Sequence, residues 1–349
     1  RQTGAGMKKK IIDQIDKCYS VNALQIGEET QLMFAGEGDG SLSIYSGKEY
    51  KEKKVIWEEK DGLGGTMTIC TVDDKEGYFF ASTGFFTMIR SESSAVYLIR
   101  YRDNTFERVK VCDIPYLHRF DVVTLGNTRY LIACTIHSGK TSPEDWSNPG
   151  KLLAAKLPFD LDGDVNVTPF VLKDGLVMNH GFNRIYENGE TKILIAAQNG
   201  VFKITPPFES GAEWEIEQVF DFPVSDVCAY DLDGDGCLEY GILSPFHGDH
   251  FSVYKKVDGM AVKLYDHAKE LDFYHAVYAD TFEGQPSFII GARKKDMDLY
   301  RVFYNKEQQV YETELIETGA GSSNARIIHT KAGDLILSAN RQKNEAEIY

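Results

Sequence analysis

Three histidines, His118, His180 and His275, stand at one place in a recurring strand pattern, in a chain of 349 residues with eight histidines. Aligning the residues that enter each repeat gives Asn22, Thr66, His118, His180, Asp226, His275 and Asn324. Residues at one repeat position of a circular fold project toward a common axis, so these side chains are expected to ring one channel mouth. Neutral imidazoles are common metal ligands. Three of them with a carboxylate or water would suit Zn²⁺, Mn²⁺ or Fe²⁺ and leave a position for substrate. The plainer alternative is three hydrogen-bonded imidazoles in a wet channel, holding no metal.

The loops expected on the same side add His137, His247, His250, Arg293, Lys294, Lys295 and Arg341. His137 or His247 would serve as base or acid, and Arg341 and Arg293 would grip anionic or hydroxyl groups. Asn324, Asp226 and Lys294 would line the substrate. The insertion at 138–150 carries Trp146, an aromatic plate suited to the apolar face of a sugar ring, and loops of that length are usually functional or disordered. His267 and His329 fall outside this set and carry no such expectation.

The elements that must position these residues are strands. Runs such as Gln31-Leu-Met-Phe-Ala35, Lys192-Ile-Leu-Ile-Ala-Ala197 and Asp334-Leu-Ile-Leu-Ser-Ala339 recur seven times, about 50 residues apart, and each is followed by an aromatic-rich strand. Four short strands fill that length, which is the size of a propeller blade. Helical periodicity is almost absent, and the 20 Phe and 19 Tyr suit strands and inter-blade packing. The prediction is an all-β, seven-bladed β-propeller over residues 7–349, a single domain. The run Lys10-Ile-Ile-Asp-Gln-Ile15 supplies the strand that the last blade lacks, which removes an open edge. Residues 1–6 read as a tag remnant.

The formal charge of −15 disfavours nucleic acid and membrane partners. No apolar stretch approaches the roughly 18 residues of a spanning helix. The six cysteines form no CxxC pair and several lie in apolar runs, as in Tyr130-Leu-Ile-Ala-Cys134, which with the lack of a secretory h-region points to the cytoplasm. There is no GxSxG elbow, Walker loop, HExxH or strand-bound GxGxxG.

One turn, Asp231-Leu-Asp-Gly-Asp-Gly-Cys-Leu-Glu239, places oxygens at alternate positions, a glycine at the bend and a closing carboxylate. A second acidic run, Asp160-Leu-Asp-Gly-Asp164, has no closing acid. The first resembles the FG-GAP/VCBS-type propeller repeat, which implies Ca²⁺ held by Asp231, Asp233, Asp235 and Glu239 in a structural role. With the repeat layout and blade-entry histidines such as Asn179-His-Gly181, the chain is similar to the propeller part of the aldos-2-ulose (anhydrofructose) dehydratase group. More distantly it is similar to propeller oligogalacturonate lyases. Those resemblances imply a metal-assisted lyase acting on a small keto-sugar or uronide, with His118, His180 and His275 as ligands. A non-catalytic propeller module binding glycan or protein is the alternative. A two-carboxylate glycosidase ranks last, since the ring offers only Asp226.

Overall fold

The apolar runs that recur along the sequence are the second strands of seven four-stranded antiparallel sheets in the computed structural model, which describes residues 7–349. The tag remnant expected at 1–6 lies outside the described residues. Second strands such as Tyr78–Thr83 are buried throughout, while outer strands such as Met260–Asp266 are almost wholly exposed. That gradient explains why the second strands read as continuous apolar runs: both of their faces are covered. Hairpin turns fall on the Asn-Gly and Asp-Gly pairs, with Asn188 and Gly189 at φ 52° and 76° and Asp258 and Gly259 at 51° and 78°. Two consecutive positive φ values mark the type I′ turn that matches strand twist.

The seven sheets are the blades of a seven-bladed β-propeller, numbered here in chain order. Their first strands are Cys18–Ile26, Ile69–Thr71, Leu117–Leu125, Gly181–Glu187, Asp226–Tyr230, Asp272–Phe282 and Asn324–Thr330. The strand Lys10–Gln14 completes blade 7 by pairing with Glu345–Ile348, as the sequence predicts. Among the described residues the helices are three single 3₁₀ turns, and none is long and apolar enough to cross a membrane.

The chain clusters into two compact units. One contains residues 15–180 and 204–216, hence blades 1 to 3. Its core joins Met33, Ile44 and Trp57 to Ile69 and Phe79, and Phe80 and Leu98 to Phe120 and Leu131. The other contains 181–203 and 217–349 with the strand Lys10–Gln14, hence blades 5 to 7 and most of blade 4. Here Leu194 and Val201 pack on Val227 and Ile242, and Phe251 and Val253 pack on Phe288 and Ile290. Packing is so close that a Cβ on Gly241 would lie 2.8 Å from Cys228 Sγ in its own blade and 3.0 Å from the Phe288 ring of blade 6.

Candidate functional site

In the unit with blades 5 to 7, His275 occupies a register shift between Tyr274 and Ala276. A bulge adds one residue to a strand and re-aims its side chain out of the ladder. The buried His275 ring donates from Nδ1 to the Ser323 carbonyl, which fixes the tautomer and leaves the lone pair on Nε2. The His247 ring lies 5.8 Å away, between centroids, and stacks on Phe246 at 3.9 Å and Phe273 at 4.3 Å. The His247 backbone N–H donates to Ser225 Oγ at 3.1 Å.

Arg293 covers the Phe273 ring at 4.2 Å, with Lys294 at 5.6 Å. Gln342 Oε1 accepts from both Arg293 Nε, at 3.3 Å, and Arg341 Nη1, at 3.0 Å. One amide oxygen therefore brings together the two guanidiniums that the sequence nominates. The backbone is left-handed at His247, Phe273, Lys295 and Met297, with φ of 47°, 53°, 59° and 51°. Each such non-glycine residue costs on the order of 1–3 kcal/mol, and clusters of them mark sites where shape is held against strain.

Two further nominated residues of this unit make contacts within the sheets. The buried Asp226 carboxylate accepts from the backbone N–H groups of Phe182 and Val227, at 3.2 and 2.9 Å, tying blade 4 to blade 5. Asn324 opens the first strand of blade 7, and its carbonyl accepts from Ser322 Oγ at 3.2 Å. His250 pairs with its neighbour Asp249, and His267 stacks on Tyr300 at 4.4 Å.

In the unit with blades 1 to 3, His118 lies at the same kind of register shift, between Leu117 and Arg119. Its ring centroid is 4.9 Å from that of His180, and both side chains are buried. Tyr19 Oη stands 3.4 Å from His118 Nε2. In blade 1 the shift falls between Cys18 and Ser20, so Tyr19, not Asn22, is the counterpart of His118 and His275. Asn22 instead donates to the Ile69 carbonyl at 2.8 Å. The extra bulge residue is invisible in sequence spacing.

His137 is fully buried with both ring nitrogens engaged. Nε2 contacts the Met88 carbonyl at 2.6 Å, and Nδ1 accepts from the Gly139 N–H at 2.9 Å. Burial lowers its pKa and favours the neutral ring. The following insertion is knit by Asp145, which accepts from Thr141 and Ser147 through backbone and hydroxyl groups at 2.6–3.0 Å. Those donors hold the Asp145 carboxyl well below the usual range. Trp146 packs beneath the Lys140 ammonium, 3.3 Å from the ring centroid, and edge-on to His137 at 6.3 Å.

The acidic turn of blade 5 joins the first two strands of that blade, Asp226–Tyr230 and Glu239–Ser244. One oxygen each of Asp231, Asp233 and Glu239 fall within 4.8 Å of one another. Lys255 Nζ reaches Asp233 at 2.8 Å, Asp235 at 2.6 Å and Glu239 at 3.6 Å. Burial first, and the Asp233 carboxylate second, push the Glu239 carboxyl up to about 7.

No family model and no curated protein matches the sequence. Solved structures match in fold. The periplasmic gluconolactonase of Pseudomonas aeruginosa superposes with a TM-score of 0.58 at 12% identity, over 95% of this chain and 91% of its own. Provisionally assigned 6-phosphogluconolactonases of Bacteroides uniformis and Bacteroides fragilis each give a TM-score of 0.56 at 12% identity. They cover 94% and 90% of this chain, and 90% and 88% of their own. At that identity the likeness concerns the propeller, and function rests on the residues described above.

Proposed function

We propose that the protein is an enzyme acting on a small carbohydrate, a carbon–oxygen lyase that eliminates across a keto-sugar or uronide. The observation that carries this reading is the tautomer-fixed His275 and the stacked His247, 5.8 Å apart, in the unit that also joins Arg293 and Arg341 through Gln342. An imidazole with a lone pair removes the proton from the carbon beside a carbonyl or carboxylate. The C–H electrons become the new C=C bond as the β C–O bond breaks, and the departing oxygen takes up a proton. Guanidiniums offset the negative charge that gathers on the enolate oxygen. With both nitrogens of His137 held by backbone groups, proton transfer is assigned to His247.

The proposed metal ligands are His118, His180 and His275. The Ser323 carbonyl behind His275 Nδ1 is the partner that metal-bound histidines commonly have, so the donor suits Zn²⁺, Mn²⁺ or Fe²⁺. A bound ion would supply Lewis-acid stabilisation of the enolate. The dehydratase-like relationship remains part of this proposal. The gluconolactonase neighbours favour a small sugar acid or its lactone as ligand, and make lactone hydrolysis the second reading. A cytoplasmic setting accords with six free cysteines, five of them buried.

The test is to incubate untagged protein with keto-sugars, uronides and aldonolactones. Elimination appears as new ultraviolet absorbance from an unsaturated product, and lactone hydrolysis as acid release. Loss of general acid–base catalysis in His247→Ala is expected to cost about 10²–10⁴ in kcat/KM. No turnover on any of these, with glycan binding unchanged in His247→Ala and His275→Ala, would replace the enzyme with a binding module. A transition metal near equimolar in wild type and lost from a His180→Ala/His275→Ala double variant supports the metal assignment.

A further inference from the structure

The turn from Asp231 to Glu239 has the residue order of a calcium loop, yet hydrogen-bond donors meet its carboxylates at every oxygen. Asp231 accepts from the Gly234 and Gly236 N–H groups at 2.8 and 2.9 Å. Asp233 accepts from the Asp235 N–H at 3.1 Å and from Lys255 Nζ at 2.8 Å. Asp235 accepts from the Cys237 N–H at 2.8 Å and from Lys255 Nζ at 2.6 Å. Glu239, wholly buried, accepts from the Leu232 N–H at 2.7 Å and the Tyr311 hydroxyl at 3.0 Å.

Calcium takes six to eight oxygen ligands and needs them directed at one centre. Here the centre faces an ammonium. Lys255 lies on the third strand of blade 5, directly across the ladder from Glu239, so its position follows from register and not from rotamer choice alone. It is 8% exposed. We propose that Lys255 is the resident cation of this turn, that its ammonium does the charge-balancing work a calcium ion would do, and that the protein is independent of calcium there.

Charge energetics agree. Burial alone would lower the lysine pKa, but Asp233 and Asp235 outweigh it and keep the ammonium charged. At Asp233 burial pushes the pKa up, but Lys255, Glu239 and the Asp235 N–H together outweigh it and hold that carboxyl below its ordinary value. A divalent ion at the same centre would meet a fixed positive charge within a few ångströms. The second acidic run is arranged likewise: Asp162 pairs with Lys75 at 3.0 Å and Arg102 at 2.9 Å, and accepts from the Tyr78 hydroxyl.

The experiment is calcium titration by calorimetry, with thermal unfolding in chelator and in millimolar calcium, on wild type, Lys255→Met and Lys255→Arg. Wild type is expected to give no binding heat and the same midpoint in both buffers. Lys255→Met leaves the buried Glu239 and the partly buried Asp233 without their counter-charge and is expected to unfold on the order of 4 °C or more lower, with Lys255→Arg recovering most of the loss. Calcium binding by wild type near one equivalent with a raised midpoint would overturn the proposal. So would a Lys255→Met protein as stable as wild type. If Lys255→Met does not fold, the wild-type titration and Lys255→Arg still decide.

Discussion

Replacing Glu347 by glutamine tests how the strand that closes blade 7 is held. Glu347 lies opposite Ile11 in that ladder and is wholly buried. Its Oε2 accepts from Asn340 Nδ2 and the Tyr349 hydroxyl, both at 2.7 Å, and Lys9 Nζ stands 3.1 Å from Oε1. Burial first, and the Glu345 carboxyl second, push the Glu347 carboxyl from 4.5 up to about 7, against the pull of the Tyr349 hydroxyl and then Lys9. A group whose folded pKa is raised gives its full stability below its unfolded pKa and loses it as pH climbs through the folded value. The loss therefore runs from about pH 4.5 to just above 7, and a displacement of that size corresponds to about 3 kcal/mol. Glutamine keeps the shape and does not titrate. Relative to wild type, Glu347→Gln should gain about 3 kcal/mol between pH 4.5 and 8, or about 4 °C in midpoint for a chain of this length. Thermal unfolding of both proteins across that range is the assay. Parallel curves, or a variant that falls behind wild type toward pH 8, would refute the reasoning and make Glu347 an ionised partner of Lys9.

Two further outcomes follow from packing and charge. Gly241→Val puts two methyls where one Cβ already meets Cys228 and Phe288, so chemical denaturation should show a loss of at least about 1–3 kcal/mol, concentrated in the unit with blades 5 to 7. His329 bridges Asp334 at 2.7 Å and Asp280 at 3.2 Å; burial lowers its pKa, but the two carboxylates outweigh that and raise it above 6.5. His329→Ala should therefore cost stability below pH 6.5 and progressively less as pH rises through the raised value. A cost that does not change with pH would show that the bridge contributes packing and not charge.

The propeller was legible because the blades repeat two local signals, a continuously apolar second strand and tight turns built from Asp, Asn or Gly, and neither depends on contacts far away in sequence. The closing strand was legible for the same reason: seven repeats left one strand short and the chain opened with a spare one. The site was legible only as a list of residue types. Tyr19, three residues before the nominated Asn22, takes the blade-entry position because that position is set by a bulge between Cys18 and Ser20, which composition does not reveal. His137 looked free to move protons, but its partner Met88 is 49 residues away. Lys255 carried a readable signal, a lysine on the third strand facing the closing acid, that a motif search confined to the turn passes over. Asp226, nominated as a substrate ligand, also ties two blades together, its Oδ1 accepting from the Phe182 and Val227 amides, a pair that residue type alone does not announce.

The insertion after His137 organises itself: Asp145 anchors Thr141 and Ser147, and the Ser138 N–H returns to the Asn148 carbonyl at 3.0 Å. A segment whose shape comes from its own hydrogen bonds has surrendered its conformational freedom before any guest arrives. Recruiting Trp146 would then carry little ordering penalty, so affinity there would be set by how well the guest competes with Lys140 for the indole.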